Sequence, residues 1–224
     1  MGAERAASTA AFGVGGALDL LDWKHRVFRL YDEVRSASDP RSAWQDWVCE
    51  RDRLYREHPQ SPIPAEERPS FGGCTYFEYD PEFRVVGAVL DAEPTVSKLA
   101  VSTGGTFRFT RVGRVRFLLR GEPHELELEW NEGYGGGLFL AFRDGSSNKT
   151  TYGGGRYLFD TVKGSDLGFD RKRREIVLDF NFAYNPSCSY DPRWACPLAS
   201  QANLLPIDIA VGEKHRLVAA SGRT

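Results

Sequence analysis

No stretch of this 224-residue chain stays apolar over the roughly 18–20 residues needed to cross a bilayer, so no membrane partner is expected. Charge of one sign is scarce too. Lys and Arg number 29 against 31 Asp and Glu, a formal net charge of −2 with a pI near 6.1. That balance leaves no basic footprint, which argues against nucleic acid as a partner. Cysteines are few, four in all, and two lie far apart on different elements. This favours a reducing, cytoplasmic setting over a disulfide scaffold. His25, His58, His124 and His215 are scattered, and the Cys188–Cys196 spacing fits no common zinc pattern, so neither metal nor cofactor is expected. The Gly-x-Ser-x-Gly elbow of serine hydrolases is missing. Neither Gly135-Gly136-Gly137 nor Gly153-Gly154-Gly155 has nucleotide-loop spacing or opens a helix. The stretch from Ala6 to Ala17 lacks the basic start and strong apolar block of a signal peptide, and Ala6 stands where a myristoylation signal takes Ser or Thr.

What is there, 41% hydrophobic and 27% charged residues, suits a water-soluble globular chain able to bury a sizeable core. Residues 1–16 read as a flexible tail. Leu20, Trp23, Val27, Leu30 and Val34 recur at helical spacing, which predicts an amphipathic helix. Asp39-Pro40 is a cap followed by a first-turn proline, and it opens a second helix carrying Trp44, Trp47, Val48, Leu54 and Tyr55. That tryptophan stripe reads as core packing, and Cys49 on the same helix as inert. Residues 17–58 thus form a helical segment. Pro59, Pro62, Pro64 and Pro69 make residues 59–70 a semi-rigid connector. Beyond it the period changes to two, with short strands expected around residues 84–91, 96–102, 107–112, 115–119, 126–130, 138–142, 175–180 and 205–211, separated by Gly-bearing turns. No strand–helix alternation follows, so a doubly wound sheet is rejected. The expected fold is mainly β, an antiparallel barrel or sandwich over residues 71–216, with an N-terminal two-helix segment and a short tail at 217–224.

Two stretches break the alternation. Residues 179–197 hold Asn181, Tyr184, Asn185, Tyr190, Trp194 and two cysteines in one irregular run; long ordered segments of this kind tend to be functional. Tyr152 and Arg156-Tyr157 flank Gly153-Gly154-Gly155, bare backbone that allows a close approach to a ligand. The sequence therefore predicts that both stretches line one site. Tyr152, Arg156, Tyr157, Asn181, Asn185 and Tyr190 are the binding candidates, with Arg156 able to hold a carboxylate or phosphate bidentately. An internal ion pair between Arg156 and Asp144, Asp160 or Asp179 is the competing reading. Asp144 reads first as a turn residue and second as an acid or base. Cys188 and Cys196 read as a disulfide, as two buried thiols, or as a pair in which Cys188 is reactive.

Several of these segments resemble one known family. They are Thr151 to Tyr157, Asp179 to Pro186, Cys188-Ser189-Tyr190, Cys196-Pro197-Leu198, Asn203 and Ala210 to Lys214, with Ser61-Pro62, Phe71-Gly72-Gly73 and Leu138 to Asp144 in support. Together they resemble the prokaryotic family catalogued as domain of unknown function 1684, over about residues 18–216. Ser187 stands where an aromatic is usual, and Ala199-Ser200 replace a proline-rich step. The resemblance implies a helical segment before a β-rich body and brings no activity with it.

Three functions fit these residues. The first is a binding protein that holds a small, anionic molecule in a Tyr/Arg/Asn-lined barrel pocket. The second is a cofactor-independent hydrolase or isomerase, with Tyr184 or Asp144 as acid or base, Arg156 and the asparagines steadying negative charge, or Cys188 as nucleophile. The third is a structural plug formed by 179–197, its amides satisfying buried backbone. A homodimer is left open.

Overall fold

A computed structural model describes residues 13–216, so the tails expected at 1–16 and 217–224 fall outside the described residues, apart from 13–16. Helix α1 spans Val14–Ser36 and α2 spans Pro40–Glu57. Asp39 caps α2 as expected, its carboxylate accepting from the Arg41 and Ser42 amides at 3.2 and 3.1 Å. The tryptophan stripe of α2 faces inward. Trp47 is 1% exposed and packs with Leu30 and Tyr31 of α1 against Tyr79, Leu167 and Phe182 of the body. Trp44 donates its indole N–H to the Asn181 carbonyl at 2.9 Å. The proline-rich connector is anchored rather than loose: Ile63 is fully buried with Leu54, Tyr55 and Phe71.

The body is one antiparallel seven-stranded sheet built from β1 (Arg84–Ala100), β2 (Thr106–Leu119), β3 (Glu122–Asn131), β4 (Gly137–Phe142), β5 (Arg156–Asp160), β6 (Phe169–Asp170) and β7 (Glu175–Asp179). Its order is β5-β4-β3-β2-β1-β7-β6, so the sheet is open, with β5 and β6 at its edges. Mainly β, antiparallel and preceded by two helices, the architecture is the one the sequence predicts. Among the described residues, no helix is long and apolar enough to cross a membrane.

Three details differ from expectation. The strands expected at 84–91 and 96–102 are one strand, and those at 107–112 and 115–119 are another. The register shifts at Asp91/Thr95 and at Arg111/Gly113, where bulges absorb what reads in sequence as breaks. A Cβ on Gly113 would sit 2.8 Å from the Leu90 carbonyl oxygen, so glycine serves a close strand approach rather than a turn. Residues 156–160, where no strand was expected, form β5.

The closing strand expected over Leu205 to Val211 does not form. Leu205, Ile209 and Val211 do turn into the main core. The backbone is divided between two partners instead: the Leu205 amide and the Ile207 carbonyl bond the Arg143 carbonyl and the Gly145 amide at 2.8 Å each, whereas the Ile209 and Val211 carbonyls accept from the Arg156 side chain and the Ile209 amide donates to Asp144 at 3.4 Å.

Candidate functional site

The two irregular stretches are neighbours. Tyr157 and Tyr184 exchange backbone hydrogen bonds at 2.9 and 3.2 Å, so residues 183–185 cover the free edge of β5. Below this contact, between the helices and the sheet, lies a cavity of about 250 Å³. Helix α1 contributes Trp23 and Tyr31, and α2 contributes Trp47, Arg51 and Tyr55. Tyr157 closes the sheet side, and Tyr184, Asn185, Trp194 and Cys196 supply the remaining wall. The cavity is therefore not the mouth of a barrel; it is a seam between the helical segment and the β body. A larger hollow of about 700 Å³ between α1 and α2 is open and charged. Its walls include the Arg26–Asp22 and Arg53–Glu50 pairs at 2.8 and 2.7 Å, which makes it a solvated groove.

Burial pushes the Tyr31, Tyr157 and Tyr184 phenols above their ordinary pKa, so all three face physiological pH as neutral hydroxyls. Tyr157 donates its own to the Pro197 carbonyl at 2.6 Å. Four wall residues carry a buried polar atom without a partner: Trp47 Nε1, Ser165 Oγ, Asn185 Oδ1 and Trp194 Nε1. Native interiors leave few such atoms, and each needs an explanation.

Arg51 is the one arginine in the wall, and its charge is matched from behind. Its guanidinium lies 2.8 Å from the Glu213 carboxylate; the two side chains are 7% and 2% exposed. It also donates to the Tyr55 hydroxyl at 2.7 Å and to the Tyr76 hydroxyl. Glu213 in turn accepts from the Asn185 amide at 2.9 Å and from the Tyr190 hydroxyl. Burial raises the Glu213 carboxyl above its usual value even with Arg51 alongside. The Trp47, Tyr55 and Tyr184 rings stack around the Arg51 guanidinium at 5.2, 4.5 and 5.3 Å.

The residues expected to form the site therefore divide. Tyr157, Tyr184 and Asn185 line the cavity. Tyr152 and Cys188 lie just behind it, with the Tyr152 hydroxyl 3.7 Å from the Cys188 sulfur. Tyr190 belongs to the Arg51–Glu213 cluster. Arg156 takes the internal alternative: it pairs with Asp144 at 2.9 Å, both side chains being 1% exposed, and its fork is spent on the Ile209 and Val211 carbonyls. Asp144 also accepts from the Ser146 amide at 2.7 Å, the turn role read first. Neither residue lines the cavity. Asn181 is consumed structurally, exchanging hydrogen bonds of 2.8 Å each with the Asp80 backbone.

Arg51 and Glu213 were not among the candidates. A signal exists for Arg51: it stands between Trp47 and Tyr55 at four-residue spacing, a cation on an otherwise aromatic helix face.

Cys188 and Cys196 are free thiols, Cys188 half-buried and Cys196 buried. The Cys196 thiol donates to the Cys188 sulfur and, against burial, holds its pKa down at about 6. The same contact raises Cys196, which keeps its proton. Among the described residues, no three His, Cys, Asp or Glu side chains gather as a metal site would require.

Comparison with known proteins places this architecture. The chain is similar to an uncharacterized protein of Haloarcula marismortui whose solution NMR structure is known, at 34% identity and a TM-score of 0.58, over 80% of this chain and 95% of that one. No curated protein matches. The profile of a protein family of unknown function, DUF1684, matches residues 69–214, well over half of the chain, and the chain belongs to that family.

Proposed function

We propose that this protein binds a small, ring-bearing molecule in the seam between the helices and the sheet. The observation that carries the reading is the wall: a 250 Å³ cavity lined by tryptophan and tyrosine rings, with Lys24, Arg51, Lys163 and Asn185 among its polar groups. Such a wall rewards a flat apolar body, and a few fixed polar atoms orient it. Because Glu213 neutralises Arg51, the pull on an anion comes from the Lys24 and Lys163 ammonium groups, which also line the cavity. Lys163 shares its charge with Asp160 at 3.0 Å. The favoured ligand is therefore a single-ring compound with one acidic substituent facing the lysines and a donor for Asn185 Oδ1.

Thermal-shift screening with small aromatic and alicyclic acids, beside their amides, tests this. A ligand at about 100 times its Kd stabilises the folded state by about 2.7 kcal/mol, which raises Tm by roughly 5–10 °C for a chain of this size. Trp194→Ala and Tyr184→Leu should remove the shift and leave the unliganded protein folded. If no ring compound shifts Tm or alters tryptophan fluorescence, the cavity is only a packing defect and the reading fails.

A further inference from the structure

Helix α1 is apolar on two opposite sides, and one of them stays uncovered among the described residues. Trp23, Val27, Leu30 and Tyr31 turn inward onto the cavity and the body. Val14, Leu18, Leu21 and Phe28 turn outward and are 79, 58, 49 and 45% exposed. At about 100° per residue these four fall within an arc of about 80°, a single stripe about 21 Å long, with exposed His25 in its gap. Scattered surface hydrophobics are ordinary, whereas a contiguous apolar stripe marks a contact surface. The ring of Phe28 is held in place, because it lies so close to Gly164 that a Cβ there would meet it at 2.6 Å.

The charges beside the stripe select the partner. Asp22 and Arg26 pair at 2.8 Å along its flank, the acid nearer the start of the helix and the base nearer its end. Consider a second α1 laid antiparallel, with Leu18 of each copy against Phe28 of the other and Leu21 against His25. Each Asp22 then lies within about 3 Å, measured along the axis, of the level of the opposite Arg26. A parallel copy sets acid beside acid and base beside base instead. We propose that the outer face of α1 pairs antiparallel with α1 of a second copy of this chain.

The inner side of the same helix supplies Trp23 and Tyr31 to the cavity wall, and of its 23 residues only Leu30 and Tyr31 are buried. His58 reaches Asp22 at 3.1 Å and Gln60 reaches the Gly16 carbonyl at 3.4 Å. A second copy on the outside adds to these contacts and braces the wall. The pairing needs no ligand and stands apart from the binding reading. With Leu18, Leu21, His25 and Phe28 from each copy, the interface is of the small, transient class, and its Kd is expected on the order of 100 µM.

Sedimentation equilibrium of the full chain at low salt tests this. The mass should rise from 25.1 kDa toward twice that value between about 10 µM and about 1 mM, and less so in high salt, which screens the flanking charges. Leu18→Glu with Leu21→Glu, both at exposed positions, should hold the protein at monomer mass and leave its urea midpoint in place. Asp22→Arg and Arg26→Asp should each be monomeric alone, since each gives the flanking pair a single sign, and an equimolar mixture of the two should dimerise again. For direction, Leu18→Cys oxidised together with Phe28→Cys should give the mixed disulfide by peptide mapping, and Leu18→Cys alone should not link to itself. Monomer mass up to about 1 mM, as when residues 1–12 of the same chain cover the stripe, overturns the proposal. So does a dimer that survives Leu18→Glu with Leu21→Glu, a mixture that stays monomeric, or a Leu18→Cys chain that links to itself. The concentration series uses the unaltered protein and decides whether or not the charge variants fold.

Discussion

Replacing Glu213 by Gln tests the buried Arg51 cluster most sharply. The change keeps an acceptor for the Asn185 amide but leaves the buried Arg51 guanidinium without a counter-charge. Removing one partner of a buried ion pair costs about 3–5 kcal/mol. For a chain of this size that lowers Tm by roughly 10 °C or more. Arg51 cannot escape by losing its proton, so the loss should be nearly constant with pH. Arg51→Met removes the other partner and behaves differently, because Glu213 can take up a proton. Its penalty at pH 7 is capped near the cost of neutralising a carboxyl with an unfolded pKa of about 4.3, about 3.7 kcal/mol, plus the lost hydrogen bonds. In that variant the folded pKa is raised above the unfolded one. Stability is then fully present below about pH 4.3 and is lost as pH rises toward the folded value, so the capped part shrinks to about 1 kcal/mol at pH 5. The double variant, with neither charge, should recover at least 2 kcal/mol over the sum of the singles. Urea unfolding of the four proteins at pH 5 and 7 reads all of these values. A Glu213→Gln loss below about 1 kcal/mol together with a pH-insensitive Arg51→Met would mean that apolar packing alone joins the helices to the body.

Other expected outcomes follow from single contacts. Gly155→Ala should cost about 2 kcal/mol or more in urea unfolding: φ is +95°, and the new Cβ would meet Ala199 Cβ at 2.6 Å and the Phe142 carbonyl oxygen at 2.8 Å. Gly72→Ala, with open space around it, should change stability by only a few tenths. Asp144→Asn should lose about 3–5 kcal/mol by stranding Arg156, and adding Arg156→Met should restore part of it, as a double-mutant cycle would show. Tyr190→Phe, which removes the hydroxyl donated to Glu213, should cost about 1–2 kcal/mol by thermal or urea unfolding.

The fold was legible where local rules act alone. Asp39-Pro40 announces α2, and the helical and alternating periods place the two helices and most strands. The sequence misleads where a tertiary contact overrides a local rule. Gly113 reads as a break and is a bulge under the Leu90 carbonyl. Leu205, Ile209 and Val211 carry a strand pattern without a ladder: Leu205 still pairs with the Arg143 backbone, but Arg156 and Asp144 take the backbone groups of Ile209 and Val211. The site was half legible for a related reason. Tyr157, Tyr184 and Asn185 lie in stretches whose composition is unusual, so they stand out. Arg51 lies in an ordinary helix, and its role depends on Glu213, 162 positions away. Arg156 was conspicuous because it flanks glycines, and it is conspicuous for packing: Gly155 lets the strand begin where the Arg156 side chain can enter the core.

A structural role and the proposed binding role meet in Arg51. Its guanidinium fixes Tyr55 and Tyr184, two rings of the cavity wall, while its charge is held by Glu213, which also fixes the Asn185 backbone. The same five groups therefore join α2 to the body, and four of them, Arg51, Tyr55, Tyr184 and Asn185, line the cavity. Rings positioned in this way bind with little further ordering, which is where much of the affinity of a small rigid pocket arises. Loss of the carboxylate at 213 should then weaken ligand binding even in the fraction of Glu213→Gln that stays folded. Loss of the Asp144–Arg156 pair, which is buried away from the cavity, should lower stability and leave the affinity of the folded fraction unchanged. A calorimetric titration of both variants below their melting temperatures separates the two cases: equal affinities would mean that the cavity wall does not depend on the Arg51–Glu213 pair.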